Sequence, residues 1–275
     1  MPELPEVETI KLQLDRLLKN KIIASVELRL PKQVKSDKKK FLKLVIGAKI
    51  KKVFRRAKIL IMDLDDGYHL VFHLKLTGQL IYQKISRQSG NYPNKYSHIV
   101  FNFKTGDRLF FNDLRQFGWV KLVSANELKN ILQEFGPEPL AKNFSFEKFY
   151  NIFAPKKTAI KPLLMEQIFL AGVGNIYASE ACFCAGILPT RRADKISTLE
   201  YRKLYQCLRK ILKFAIQKKG VSAENYLDAL GQEGEMVKYL KVYGRAGEEC
   251  KKCGSNINSV KQGSRTSFYC PKCQG

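Results

Sequence analysis

No apolar run in this chain approaches the roughly 20 residues that a membrane-spanning helix requires. The N-terminus is acidic, not a basic stretch followed by an apolar one, so the pattern of a secretory signal is missing. Both absences argue for a soluble cytoplasmic protein with no membrane partner. Negative charge is also scarce: 25 Asp and Glu stand against 49 Lys and Arg, a net charge of +24 over 275 residues. The excess is spread along the chain, at Lys38-Lys39-Lys40, Lys51-Lys52, Arg55-Arg56, Lys156-Lys157, Arg191-Arg192, Lys218-Lys219 and Lys251-Lys252. A polyanion partner, nucleic acid foremost, is the natural inference. A lysine-rich genome would raise the charge too, and any single lysine pair is more often a solvated face than a contact. The hydrophobic fraction of 45% excludes wholesale disorder, and the length suits two domains or one large one.

Seven cysteines are present. Cys182, Cys184 and Cys207 sit in apolar helical surroundings and read as ordinary core thiols. Cys250, Cys253, Cys270 and Cys273 form C-x2-C-x16-C-x2-C, a spacing that suits a tetrahedral four-cysteine zinc site. Two disulfides are the alternative, which a cytosolic setting disfavours. Four thiolates leave no open coordination position, so a single zinc ion here is structural and folds the last part of the chain. The intervening Lys261 to Tyr269 reads as two short strands with a basic tip, a zinc-ribbon hairpin.

The chain opens Met1-Pro2-Glu3-Leu4-Pro5-Glu6-Val7-Glu8. Removal of Met1 leaves a terminal proline with a free secondary amine and two carboxylates within four residues. Such an amine can attack a sugar or carbonyl carbon and leave an iminium, with a neighbouring carboxylate moving protons. The same octet also reads as a helix start, with Pro5 in the first turn and Glu6 and Glu8 at the positive end of the dipole. Val7, Ile10, Leu14, Leu17 and Leu18 continue it at helical spacing. The two readings are compatible, since a helix start would hold the amine and Glu3 in fixed relation.

The first half is rich in strands: 23–30, 50–55, 59–64, 70–76, 99–103, 108–111 and 119–123 alternate or run apolar, divided by turns such as Asp66-Gly67. Short strands without intervening helices suggest an antiparallel sandwich or barrel. Residues 86–94 are polar and read as a loop. Gly136-Pro137-Glu138-Pro139 marks the domain boundary. Helical periodicity follows over 146–153, 160–170, 176–185 and 199–217, the last opened by a capping box at Ser197-Thr198-Leu199-Glu200 and stopped at Gly220. Between the second and third of these helices stands Ala171-Gly172-Val173-Gly174-Asn175. Asn175 is a good N-cap, and the helix N-terminus suits a phosphate; two glycines between helices are also simply a tight turn.

Nine stretches, in order, resemble the formamidopyrimidine-DNA glycosylase family of bacterial base-excision repair: PELPEVE (2–8), RRAKIL (55–60), HLKLTGQL (73–80), DLRQFG (113–118), GPEPL (136–140), KKTAIKPLLMEQ (156–167), AGVGNIYASE (171–180), VYGRAGEEC (242–250) and SRTSFYCPKC (264–273). The resemblance implies an α+β multidomain fold. An N-terminal antiparallel β-sandwich flanked by helices (1–135) would be followed by a helical domain with a helix–two-turn–helix element (136–245) and a zinc ribbon (246–275). Damaged double-stranded DNA would bind in the cleft between the halves of a monomer.

It further implies that Pro2 attacks C1′ of a nucleotide bearing an oxidised purine, that Glu3 protonates the sugar ring oxygen and that Glu6 supports them. Lys58 resembles the proton donor of β-elimination, and Arg265 the phosphate-contacting arginine of δ-elimination. Without the resemblance both would read as solvated. An everted base leaves a vacancy that apolar or planar side chains can fill. The family uses Met, Arg and Phe there; the matching residues are Leu76, Arg115 and Phe117, so Leu76 departs from the pattern. Tyr96 is a second departure, standing where a phosphate-contacting histidine is usual, with a phenol still able to donate one hydrogen bond. His98 is retained, though it also fits a packed strand position. Lys156 and Asn175 match positions that hold the DNA backbone. Two rivals remain at this level: the endonuclease VIII branch, which takes oxidised pyrimidines, and a non-catalytic damage-sensing protein. Leu4, the intact RRAKIL and the segment 230–235, at the place of the family's base-covering loop, favour the purine enzyme; Pro2, Glu3 and Lys58 argue against the sensor.

Overall fold

The strands of the first half assemble into two four-stranded antiparallel sheets. In the computed structural model, which describes residues 1–86, 92–222 and 225–275, helix α1 (Leu4–Leu18) precedes β1 (Ile23–Leu28), α2 (Lys38–Val45), β2 (Ile50–Arg56), β3 (Ile59–Leu64) and β4 (His69–His73). Strands β5 (Gly78–Gln83), β6 (Ser97–Phe103), β7 (Arg108–Asp113) and β8 (Trp119–Val123) follow, then α3 (Ala125–Gln133). One sheet runs β1-β6-β7-β5 and the other β2-β3-β4-β8. Part of the expected 86–94 loop, residues 87–91, lies outside the described residues.

The inward residues of both sheets make one core. Leu60, Met62, Leu70 and Phe72 from the second sheet meet Leu80, Ile99, Phe101, Leu109 and Phe111 from the first. Phe72 is the pivot, its ring edge-on to Phe101 at 6.0 Å and to Phe111 at 5.9 Å. Val7, Ile10, Leu14 and Leu18 add the apolar face of α1, at the helical spacing that the sequence shows. The same core takes Tyr226 and Ala229 from a distant segment. The chain divides into two compact units, Met1–Gln133 with Lys218–Val237, and Glu134–Gln217 with Lys238–Gly275.

Three elements escape the strand-and-helix reading. The Lys38-Lys39-Lys40 run opens α2, capped where the Asp37 side chain accepts from the Lys40 N–H, with Phe41 and Val45 buried. Strand β5 and helix α3 are likewise new. The strand expected over 70–76 ends at His73, because Lys75 takes a left-handed φ of 52° and the Gly78 N–H closes a turn on the Leu74 carbonyl.

The second unit contains α4 (Phe146–Phe153), α5 (Ile160–Met165), α6 (Asn175–Ala185) and α7 (Thr198–Gln217), then the hairpin β9 (Asn258–Gln262) and β10 (Arg265–Tyr269). Helix α7 opens with the expected capping box: the Ser197 N–H donates to Glu200 Oε2 and the Glu200 N–H to Ser197 Oγ. It ends at Gln217, before Gly220. Helix α5 is half the length expected. Gln167 stops it: its Nε2 donates to the carbonyls of Met165 and Val173, and its Oε1 accepts from the Gly172 N–H. One side chain therefore replaces the backbone partners that a longer helix would supply. The N-cap of α6 is Gly174, not Asn175, which is the first helical residue.

Cys184 and Cys207 are not separate core thiols. They form a disulfide between α6 and α7, with Cα atoms 5.8 Å apart. The positions face each other only once the helices pack, and nothing in sequence spacing signals it. Cys182 is buried and free, as expected. Among the described residues no helix is long and apolar enough to cross a membrane.

Phe72→Ala removes the ring that joins the two sheets. The expected loss is about 3–5 kcal/mol of stability, read as a lowered midpoint in urea unfolding at unchanged secondary structure before the transition.

Candidate nucleic-acid-processing site

Pro2 and Glu3 lie at the very start of α1, and both are buried. Glu3 is the N-cap of a reciprocal capping box with Glu6, and the Glu3 N–H donates to Glu6 Oε2 at 2.7 Å. The other oxygen of Glu6 accepts from the Val221 N–H at 2.8 Å. One buried carboxylate thus ties the terminus to the returning segment 218–237. Gly220 makes room for it: φ is +83°, and a Cβ there would lie 2.7 Å from Glu6 Oε1. Asp228 and Gln13 fasten the segment further along α1: Gln13 Nε2 donates to Asp228 Oδ2, and the Ala229 N–H to Gln13 Oε1. Asp228 Oδ1 accepts from the Leu230 and Gln232 N–H groups, shaping the stretch that was matched to the base-covering loop.

Lys58 is only 7% exposed, so it is not a solvated strand lysine. It occupies the two-residue turn between β2 and β3. Arg55 fixes that turn to α1, its Nε donating to Glu8 Oε2 at 2.7 Å and its NH1 to the Ala57 carbonyl. Burial alone would raise the Glu8 carboxyl, but Arg55 and Lys11 overcome it and hold the group low. His73 faces the same neighbourhood. Burial, then the charges of Lys75 and Lys58, push its imidazole down to about 3. Its Nδ1 accepts from the Lys75 N–H, which suits the neutral ring.

Leu76, Arg115 and Phe117 are gathered by Asp113, which is 1% exposed. Its Oδ1 accepts from the Thr77 hydroxyl and the Arg115 N–H, and its Oδ2 from the Gly118 N–H and Gln33 Nε2. Thr77 Oγ1 also accepts from the Arg115 N–H. The turn bearing Leu76 and the loop bearing Arg115 and Phe117 are therefore one assembly. Phe117 is 54% exposed, with the Arg115 guanidinium 5.1 Å from its ring centroid. Tyr96 joins them, its carbonyl accepting from the Asp113 N–H, and Lys95 Nζ lies over its ring. His98 is buried, Nε2 against the Asp113 carbonyl, the packed position foreseen for it. Ala57, Lys75 and Gln116 all hold left-handed φ angles of 50–59°. Each stands next to one of these matched residues, so backbone strain is concentrated there.

In the second unit, Lys156 Nζ lies 4.5 Å from the Phe169 ring centroid. Asn175 is engaged on both sides: its Nδ2 donates to the Thr266 carbonyl, and its Oδ1 accepts from Lys161 Nζ. Lys161, missed from sequence, is 1% exposed and also donates to Ser267 Oγ at 2.7 Å. It binds the start of α6 to strand β10, whose exposed first residue is Arg265. Only a buried lysine with no apolar explanation in its helix would have hinted at this. Glu180 is a second missed anchor. Burial pushes its carboxyl up although it accepts from the N–H groups of Lys241, Val242 and Tyr243, which lead into the ribbon.

Cys250, Cys253, Cys270 and Cys273 place their sulfurs within 4.8 Å of one another. The Cys253 and Cys270 sulfurs are 3.4 Å apart and those of Cys250 and Cys273 4.0 Å, so they are thiols, not disulfides. A tetrahedron of Zn–S bonds has edges of about 3.8 Å. Hydrogen bonds from Ser255 pull Cys253 down to about 6, while burial and the neighbouring sulfurs raise Cys270 and Cys273, which a cation among the four would hold ionised. The four residues form the site of one structural zinc ion, which supplies cross-linking and no open position.

Residues 1–120 match the Formamidopyrimidine-DNA glycosylase N-terminal domain, and 135–226 the H2TH domain of that glycosylase. Residues 247–275 match the zinc finger found in FPG and IleRS. The chain belongs to the formamidopyrimidine-DNA glycosylase family. The family member of Pelotomaculum thermopropionicum is 39% identical over all of this chain and 99% of its own length. That of Streptococcus agalactiae is 40% identical over 94% of this chain and 93% of its own. Among solved structures, a Lactococcus lactis FPG variant in complex with Fapy-dG-containing DNA superposes with a TM-score of 0.91 at 32% identity, over 99% of each chain. MutM in complex with DNA containing carbocyclic 8-oxo-G gives 0.90 at 32%, again over 99% of each. The α+β sandwich, helical and ribbon architecture read from sequence is that of the family.

His73 is neutral when folded and ordinary when unfolded, so the unfolded chain binds more protons between about pH 3 and 6.5. Its contribution makes stability rise with pH across that window, by at most about 1.4 kcal/mol per unit. Urea midpoints from pH 4.5 to 7 should show this slope, and His73→Gln should flatten it. Removing zinc with a chelator should unfold 247–275 while leaving the sandwich intact, read by hydrogen exchange resolved to peptides.

Proposed function

We propose that this protein is a bifunctional glycosylase and AP lyase that excises oxidised purines, 8-oxoguanine and formamidopyrimidines, from double-stranded DNA. It acts as a monomer in the cytoplasm, on nucleoid DNA. The observation that carries the reading is the Glu6 carboxylate, bonded at once to the Glu3 N–H and the Val221 N–H. It fixes the terminus that bears Pro2 against the segment matched to the base-covering loop. A nucleophile held in one orientation reacts at a positioned sugar far more readily than a loose chain end.

After Met1 is trimmed, the Pro2 amine attacks C1′ and the bond to the base breaks. Glu3 protonates the ring oxygen, the sugar opens, and an iminium joins protein and DNA. The cation acts as an electron sink, so the C2′ proton is readily lost and the 3′ phosphate departs. Lys58, buried in the turn between β2 and β3, serves the proton transfers of β-elimination, and Arg265 at the ribbon tip those of δ-elimination. Glu6 orients the terminus. Leu76, Arg115 and Phe117 fill the vacancy left by the everted nucleotide, and Tyr96, Lys156 and Asn175 hold phosphates. In functional terms 1–135 is catalytic, 136–245 grips DNA and 246–275 is the ribbon. The L. lactis and MutM complexes with Fapy-dG and 8-oxo-G DNA support the purine substrate.

Borohydride trapping on an 8-oxoguanine:cytosine duplex should yield a covalent protein–DNA adduct, and a thymine glycol duplex markedly less. Pro2→Gly, or an extra residue retained before Pro2, should abolish the adduct while leaving DNA binding in place. Undiminished trapping in either case would refute the terminal nucleophile.

A further inference from the structure

All seven cysteines are helical or zinc-binding thiols by sequence pattern, yet two of them are joined, and neither belongs to the ribbon. Cys184 stands in the last turn of α6 and Cys207 midway along α7. Cys184 is half-buried, whereas Cys207 is buried, so the pair is reached from the Cys184 side. Cys182 differs on each count: it is free and fully buried, and burial pushes its thiol up to about 12, leaving it inert.

A cleft of about 620 Å³ lies by the end of α6, lined by neither of the two cysteines themselves. Its walls include Ala185 and Gln206, the chain neighbours of the two cysteines, together with Glu200, Arg202, Lys203 and the ribbon's Cys273. Helix α6 also anchors much of its unit. Its first residue is bonded to Lys161 and Thr266, and its Glu180 holds the chain that enters the ribbon. Just past its end, Gly186 accepts from the Gly275 N–H.

We propose that Cys184 and Cys207 are a reversible redox site, oxidised and reduced by a low-molecular-weight thiol–disulfide couple, and that the bond stiffens the helical unit when the cell is oxidised. The inference rests on the cytoplasmic setting proposed above, where such bonds are transient and redox-sensing, and not on the Pro2 chemistry. One cysteine thiolate attacks the small disulfide RSSR, forming a mixed disulfide and releasing RS⁻. The second thiolate attacks the protein sulfur of that mixed disulfide and expels the other RS⁻. One S–S bond breaks and one forms. Two electrons pass from the protein sulfurs to the small couple, and the two protons leave with it as two RSH. The closed loop of intervening residues loses freedom in the unfolded state, which stabilises the oxidised form.

The test uses the full zinc-loaded chain equilibrated in glutathione buffers of graded GSH:GSSG ratio, with zinc content measured in every sample. Alkylation and intact-mass analysis should show two labels fewer in the oxidised form, mapped to Cys184 and Cys207. Its melting temperature should be higher by about 5–10 °C. Cys184→Ala and Cys207→Ser should each keep the fold and zinc and lose the redox-dependent shift. Three results would each overturn the proposal. In one, GSSG never protects the two thiols. In another, excess GSH cannot open the bond without denaturant. In the third, a melting shift persists in both variants or follows zinc loss.

Discussion

A single buried carboxylate organises the N-terminal unit. Glu6 holds its own helix start through the Glu3 N–H and holds a segment 215 residues away through Val221. Charge-assisted bonds to two N–H groups are strong where water is excluded. Leaving either donor orphaned in such a place is costly. The geometry admits no side chain at Gly220, so the residue that approaches the carboxylate is dictated by it. Everything that can be asked of the terminus begins from the fact that α1 cannot be moved without disturbing the returning segment.

Asp113 does for the neighbouring loops what Glu6 does for the terminus. Four donors from three parts of the chain converge on its two oxygens. Exposed residues such as Phe117 are thereby displayed on a rigid base, although they pack little themselves. The left-handed Ala57, Lys75 and Gln116 fit this picture, since strained backbone persists only where surrounding bonds over-determine it.

Much of this was legible in the sequence because it depends on short-range rules. Hydrophobic alternation located most strands of the sandwich, and the four-residue capping pattern located α7. Cysteine spacing identified the ribbon and its hairpin. Other features depend on tertiary partners and were not legible. Helix α5 stops early because Gln167 reaches across its following turns, and α2 hides in a lysine run because its apolar face is short. Asn175 was read as a cap from residue type alone, whereas Gly174 takes that place and Asn175 turns to Lys161. The Cys184–Cys207 bond was misread as two thiols because the facing of α6 and α7 cannot be counted off along the chain.

The division of the chain has a consequence for synthesis. The first unit borrows 218–237, and its core includes Tyr226 and Ala229. As the polypeptide leaves the ribosome, two sheets can form early, but the hydrophobic seam along α1 stays uncovered until that late stretch emerges. Nascent chains halted anywhere before it would carry a nearly finished sandwich with an open flank.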